Sequence, residues 1–239
     1  MKRKIYLLVL IVFLIINIHP LQSADQYDPE DSIGFIYELE KEKSLAENVH
    51  FIKDTEITLY DKPEGKVVGK LYKKQGIFDF YYRTEKKEHK MSLNEMVCIA
   101  YDGYCLQIYE KKKDYLQVLR LKDKKGYWVS IKELEKLKYS YTTWIPFFKK
   151  HSNLYFPRKS LVLRAGPGAD NKKVVVMKDS SYQIRFTGKI KGMWMQVNIE
   201  LYNSTAGPCE GELIKKYKGW VKAIDDKGYP NIWFWADGC

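Results

Sequence analysis

The side chains best suited to thiol or metal chemistry in this chain of 239 residues are few and scattered. They are Cys98, Cys105, Cys209 and Cys239, with His50, His89 and His151 as the histidines beyond residue 24. The histidines lack zinc-ligand spacing, and no His-Glu-x-x-His or Gly-x-Ser-x-Gly motif occurs. The acid pair Asp225-Asp226 precedes Lys227-Gly228, which is typical of a turn. We therefore expect no enzyme, no cofactor and no metal; a hydrolase with an unrecognised carboxylate site is the less favoured alternative.

The N-terminus has the three parts of a secretory signal peptide. Lys2, Arg3 and Lys4 precede an apolar run over residues 5–18, and Pro20 and the small pair Ser23-Ala24 follow it. The apolar run is shorter than the roughly 20 residues that a membrane-spanning helix needs. We predict a signal peptide over residues 1–24 and export to the periplasm or the medium. Because neither candidate cleavage position has the small-x-small form, retention as a membrane anchor stays an alternative.

Export changes the interpretation of the cysteines, since an even number in an oxidising compartment favours disulfides over a metal site. Four cysteines allow three pairings. We favour Cys98–Cys105 and Cys209–Cys239, because each bond then stays within one proposed domain. The first pair flanks a predicted hairpin around Asp102-Gly103. A two-residue turn there would place Ala100 opposite Cys105, so this pairing requires a longer loop or a bulge.

Residues 25–47 form an acidic leader with eight acids and two bases. Asp31 or Ser32 is a suitable cap for a short helix through Phe35 and Ile36. The leader is either a spacer or a segment that docks on the basic body. Removal of three bases with the signal peptide lowers the net charge from +11 to +8. Because the leader contributes −6, residues 48–239 carry +14.

From residue 50 onward, short runs rich in Val, Ile, Tyr and Trp alternate with turn residues. The pattern predicts strands at Glu56–Tyr60, 76–82, 106–109, 115–119 and 127–129, and then a short helix at 131–137. No helical pattern of about 10–15 residues separates these strands, which argues against a parallel sheet.

The chain contains an internal repeat, the most informative feature of the sequence. Three stretches recur in the same order: 57–68 with 161–175, Tyr115–Val118 with Trp194–Val197, and 125–129 with 218–221. We define unit one as residues 48–138 and unit two as residues 159–239. Extra chain lies at 73–113 in unit one and at 203–216 in unit two. Insertions of this kind are usually loops, which often carry function.

Unit two contains Leu163-Arg-Ala-Gly-Pro-Gly168, Trp194-Met-Gln-Val197 and Gly219-Trp-Val221, and these residues resemble the bacterial SH3-like (SH3b) domain family. In unit one the resemblance is weaker, because Tyr60-Asp-Lys-Pro-Glu-Gly65 replaces the arginine motif. The resemblance implies a five-stranded barrel that binds cell-wall peptide, carbohydrate or a protein outside the cytoplasm. The predicted fold is therefore all-β: two tandem SH3-like small β-barrels with loop insertions, after a signal peptide and a short acidic leader.

Aromatic residues supply most of the candidate binding positions. Trp128 and Trp220 each precede a valine, and an alternating strand points the two side chains to opposite faces. Trp233 and Trp235 share a face; they either form a groove for sugar rings or a proline-rich peptide, or close the end of the domain. Arg164 either bridges a carboxylate ligand or has a structural role. The full candidate set is Tyr60, Trp128, Arg164, Trp194, Trp220, Trp233 and Trp235.

The linker, residues 139–158, is rich in aromatic side chains. They are Tyr139, Tyr141, Trp144, Phe147, Phe148, Tyr155 and Phe156. This composition is unlike that of a flexible tether, so we predict that the linker packs between the units.

The predicted function is that of an exported, non-catalytic module that binds wall peptide, glycan or another envelope polymer. The alternative is an exported scaffold that binds another protein. Nucleic acid is not an expected partner, because the bases form turn-like doublets rather than one stripe. Contact with a membrane is expected only if the signal segment is uncleaved.

Overall fold

A computed structural model describes residues 32–38, 55–73, 80–84, 87–91, 96–100, 103–120, 126–150, 154–205 and 210–234. These residues are mostly antiparallel β-strand with two short helices, which confirms the all-β prediction. Neither of the two helices within these ranges is long and apolar enough to cross a membrane.

The strands form three antiparallel sheets, in which the elements are numbered in chain order. Up to the first helix they are β1 (Gly34–Glu38), β2 (Glu56–Tyr60), β3 (Val67–Lys73), β4 (Phe80–Thr84), β5 (Glu88–Lys90), β6 (Met96–Ala100), β7 (Gly103–Ile108), β8 (Glu110–Lys112), β9 (Tyr115–Arg120) and β10 (Gly126–Ser130). Unit one ends with α1 (Ile131–Lys136). The linker and unit two supply β11 (Tyr139–Thr143), α2 (Trp144–Lys150), β12 (Leu154–Pro157), β13 (Leu161–Arg164), β14 (Lys173–Met177), β15 (Tyr182–Lys191), β16 (Trp194–Tyr202), β17 (Leu213–Lys222) and β18 (Ile232–Phe234).

The two larger sheets contain the same run of five strands. The first sheet has the order β5-β4-β3-β2-β10-β9-β8, and the second has the order β14-β13-β17-β16-β15-β12-β18. Strands β3-β2-β10-β9-β8 therefore match β14-β13-β17-β16-β15 in order, and they contain the three stretches that repeat in the sequence. The first hairpin of each run also has a register shift at the equivalent place, at Leu59/Tyr60 and at Leu163/Arg164. The sequence repeat thus has a counterpart in strand order, in sheets of seven strands each.

A third sheet, here called the bridging sheet, has the order β11-β1-β7-β6. In it Ile36 is opposite Leu106, and Phe35 is opposite Gln107. Successive side chains of a strand point to opposite faces of the sheet. Ile36 and Leu106 belong to the core of unit one, whereas Phe35 and Cys105 belong to the core of unit two. The bridging sheet therefore buries both of its faces.

The predicted helix through Phe35 and Ile36 is wrong, because these residues lie in strand β1. A strand points the two side chains to opposite faces, so both become fully buried, one in each core. Gly34 allows the close approach of β11, because a Cβ atom there would lie 2.0 Å from the carbonyl oxygen of Thr142. The described part of the leader thus docks on the body through apolar side chains and strand pairing. Residues 39–47 lie outside the described residues.

The linker contributes to both cores, as its aromatic composition predicted. Tyr139 lies in the core of unit one, whereas Trp144, Phe148 and Tyr155 lie in the core of unit two. The indole Nε1 of Trp144 donates a hydrogen bond of 2.7 Å to the carbonyl of Ser32. Strand β12, which comes from the predicted linker, pairs with β15 and β18 and so extends the second sheet.

Candidate functional site

A tryptophan and a glutamine lie next to each other on the outer face of each large sheet. In unit two Arg164 is opposite Trp220, and Trp220 is opposite Gln196. In unit one Tyr60 is opposite Trp128, and Trp128 is opposite Gln117. We call each set of three an outer row. The rows face outward because the neighbouring positions on the same strands, such as Leu163 and Val221, are buried in the cores.

The outer row of unit one is largely covered. Trp128 is only 5% exposed, and the ammonium group of Lys112 lies 5.5 Å from the centre of its ring. Glu110 holds that ammonium group at 2.9 Å. The rings of Tyr60 and Tyr115 meet edge to face, with their centres 5.6 Å apart. Burial, followed by the charge of Glu133, raises the pKa of Tyr60. This row therefore offers little free aromatic surface.

The outer row of unit two is more open and more basic. Trp220 and Trp194 are both half-buried on neighbouring strands. Trp194 is opposite Lys222 on one side and Lys191 on the other, and Lys218 lies two residues from Trp220. Lys222 forms an ion pair of 2.6 Å with Asp226. No carboxylate of the described residues pairs with Lys191 or Lys218. The face thus combines two indole rings with uncompensated cations.

The acid on this face is already neutralised. Glu200 accepts from Lys216 at 2.9 Å and from the hydroxyl of Tyr202 at 3.0 Å, and Arg185 lies 3.8 Å away. The hydrogen bond from Lys216, with smaller contributions from Tyr202 and from the charges of Lys216 and Arg185, lowers the pKa of Glu200 despite its partial burial. The Glu200 carboxylate is therefore paired with Lys216, Tyr202 and Arg185. The face keeps a positive charge near the two tryptophans.

Arg164 stabilises the Gly-Pro-Gly turn. Its Nη1 donates 2.8 Å to the carbonyl of Asn171, and the backbone N–H of Ala165 donates 3.0 Å to the carbonyl of Lys172. The turn is tight: a Cβ atom on Gly166 would lie 2.4 Å from Oδ1 of Asn171. These contacts give Arg164 a structural role in the turn, which is one of the two roles that the sequence suggested.

Trp233 lies in the core of unit two rather than in an open groove. It is 4% exposed, and its ring meets Trp144 edge to face at 5.2 Å between centres. The geometry agrees with the interpretation that this aromatic run closes the end of the domain. Trp235 lies outside the described residues.

The predicted hairpin between Cys98 and Cys105 is present as β6 and β7. A register shift lies between Cys98 and Ala100, and it moves Cys98 out of direct opposition to Cys105. The register places Cys105 opposite Val97 and Cys98 opposite Tyr104, one position away from direct opposition. The Cys98–Cys105 disulfide stays a prediction. The same holds for Cys209–Cys239, since both residues lie outside the described ranges.

Sequence reasoning named the tryptophans of the unit two face but missed its lysines. Lys218 and Lys222 alternate with Trp220 on β17, so a period of two along the strand was the available signal. Within the described ranges, no group of three or more His, Cys, Asp or Glu residues could hold a metal ion. Comparisons with protein-family models, curated proteins and solved structures gave no match.

Proposed function

We propose that this protein is an exported, non-catalytic binding protein that recognises an anionic wall peptide or glycan through the outer face of unit two. The observation that carries the proposal is the juxtaposition of Trp194 and Trp220 with Lys191 and Lys218, which have no acidic partner among the described residues. The resemblance to SH3b domains supports the same function. The five strands that the two units share in order are the number that such a domain needs.

The chemistry of the face suits an anionic, partly apolar polymer. An indole ring offers a large flat apolar surface on which a sugar ring or an extended peptide can lie. Lysine ammonium groups beside the ring attract carboxylates, and because Lys191 and Lys218 are exposed, salt screens this attraction. Because Glu200 is held by Lys216 and Arg185, and Asp226 is held by Lys222, these two carboxylates add no strong repulsion toward an anionic ligand.

Retention on purified cell wall tests this proposal. We expect Trp220→Ala to weaken retention by roughly tenfold or more, since aromatic anchors dominate binding energy at such surfaces. Lys191→Gln with Lys218→Gln should weaken retention and reduce its dependence on salt. The matched control is Lys149→Gln with Lys150→Gln, two exposed lysines at the end of α2 with the same change in charge. If both double variants lost the same amount of retention, the loss would be explained by net charge alone, which would contradict a specific site.

A protein-binding scaffold is the second candidate, and one observation favours it. The bridging sheet and the linker place side chains in both cores, so the two units present one continuous body to a partner. Crosslinking in the source cells distinguishes the two functions. Recovery of an exported protein, together with no retention on purified wall, would favour the scaffold.

A further inference from the structure

Strand β14 forms one end of the second sheet. It pairs with β13 along one edge, and no other strand of the described ranges pairs with its opposite edge. Val174 is 43% exposed and Val176 is 40% exposed on this short strand. An open edge with exposed valines is a template for pairing with another chain.

Unit one shows what covers the equivalent edge. Strand β3 corresponds to β14, because Leu71 is opposite Ile57 and Met177 is opposite Leu161, with all four side chains in the cores. The outer edge of β3 is paired with the antiparallel strand β4 from Gly69 to Lys73. Among its described residues unit two has no counterpart of β4, and its chain passes from β14 directly into β15. The same edge is therefore filled in one unit and open in the other.

The charges beside the open edge are positive. Lys172, Lys173 and Lys178 flank the valines, all are exposed, and none forms an ion pair with a carboxylate of the described residues. Two acids lie near the strand along the chain: Asp170, two residues before Lys172, and Asp179, whose Oδ1 accepts from both the backbone N–H and the hydroxyl of Ser181. The three lysines outnumber them. An acidic occupant is thus favoured over a basic one, and over a second copy of the same basic edge.

We propose that the outer edge of β14 binds an extended acidic segment of a partner protein as an additional antiparallel strand. The backbone N–H and C=O groups of β14 give the pairing, the exposed valines contact alternate side chains, and Lys172, Lys173 and Lys178 pair with carboxylates. Trp220 lies on β17, two strands away from β14, whereas Arg164 of the same outer row is directly opposite Lys173.

The partner strand cannot lie as close as β4 does in unit one. A Cβ atom on Gly69 would be 2.1 Å from the carbonyl oxygen of Arg83, so β4 approaches β3 at a position where only glycine fits. The register places Val175 at the equivalent position of β14, opposite Leu163. The added strand therefore pairs at the ordinary spacing, and valine side chains flank it.

A peptide in which glutamate and valine alternate, as long as β14 and labelled with a fluorophore, tests the proposal with the full chain. We expect fluorescence anisotropy to show saturable binding. Methylation of alternate peptide nitrogens removes the strand donors without changing charge, and should reduce binding by about tenfold or more. Lys172→Glu with Lys173→Glu should do the same. Lys149→Glu with Lys150→Glu, which changes the net charge equally, should have less than about a twofold effect.

Several results would overturn the proposal. One is absence of binding by the unmethylated peptide; another is equal binding by the methylated one, which would mean attraction by charge alone. Hydrogen exchange gives a direct readout, because the bound peptide should slow exchange at Val174–Met177. Sedimentation that shows a dimer dissociated by Val176→Lys would assign the edge to a second copy instead. Trp220→Ala should leave peptide binding unchanged, so this proposal and the proposed function can fail separately.

Discussion

The two large sheets share five strands in the same order but are extended at opposite ends. Unit one adds β4 and β5 beyond β3, whereas unit two adds β12 and β18 beyond β15. The extension decides which edge of the common core is covered. In unit one the β3 edge is closed and β8 is the terminal strand; in unit two the β15 edge is closed and β14 is terminal. Two similar cores thus acquire different exposed edges.

The outer rows differ for a related reason. In unit one the terminal strand β8 is short, and Lys112 from it lies over Trp128. In unit two the equivalent strand β15 is long, and its Thr187 donates to the carbonyl and to Oε1 of Gln196, both at 3.0 Å. Trp220 remains half-buried beside lysines. Residues at matching positions of a repeat therefore differ in accessibility, which is why we assign binding to unit two.

Of the substitutions that test this comparison, we expect the largest loss of stability at Trp144, a linker residue in the core of unit two. Trp144→Ala should lower the free energy of unfolding by about 3–5 kcal/mol, because it removes a fully buried indole and its hydrogen bond to Ser32. Urea unfolding measures this loss. Trp220→Ala is the control on the outer face, with an expected loss of about 1 kcal/mol. Equal losses would mean that the linker does not belong to the core of unit two.

The next effect concerns the bridging sheet. Ile36→Ala and Phe35→Ala should each cost about 2–5 kcal/mol, since each creates a cavity in a fully buried site. Hydrogen exchange should accelerate first in unit one for Ile36→Ala and first in unit two for Phe35→Ala. The same pattern for both variants would contradict the assignment of the two sheet faces to different cores.

A smaller effect distinguishes the two equivalent edges. Gly69→Ala should destabilise the protein by about 1–3 kcal/mol, because the added methyl group meets the backbone of β4 at Arg83. Val175→Ala at the matching position should cost about 1 kcal/mol, because its half-buried side chain packs against the core of unit two but no described strand pairs with the outer edge of β14. Thermal unfolding compares the two, and a larger loss for Val175→Ala would mean that the β14 edge is covered.

The smallest expected effect is electrostatic. The pKa of Glu200 is lowered by Lys216, and the pKa of Glu56 is lowered by its hydrogen bond to Lys70 and the nearby charge of Arg83. A carboxyl whose pKa is lowered on folding stabilises the protein above its unfolded pKa. That stability is lost as the pH falls through the folded value. Lys216→Gln should raise the pKa of Glu200 toward its ordinary value, by NMR titration, with about 1 kcal/mol or less of stability lost.

The titration has its own control in unit one. Lys70→Gln should raise the pKa of Glu56 and leave that of Glu200 unchanged, because the two carboxyls lie in different sheets. An ordinary pKa for Glu200 in the unaltered protein would contradict the prediction.

Local pattern was sufficient to predict much of the fold. Strand β2 has the bounds predicted from its alternation, and β9, β10 and α1 agree with theirs to within one residue. The helix predicted in the leader was wrong. The five residues of β1 begin with Gly34 and contain two adjacent apolar side chains, and so short a pattern fits a helix or a strand equally well. Only pairing with β7 and β11 makes the strand favourable there. The missed lysines of the unit two face were visible in sequence, but their lack of acidic partners depends on neighbouring strands.

By itself the sequence determined the all-β class, the repeat, the order of its strands along the chain, and the aromatic residues that carry the proposals. Hydrophobic alternation and turn residues act over a few positions, so these features can be read locally. The tertiary structure alone decided that the leader and the insertion form one sheet with the linker, that Lys112 covers Trp128, and that no described strand pairs with the outer edge of β14. Each depends on contacts between residues far apart in the chain, whose free energy comes from burial and strand pairing that no local pattern encodes.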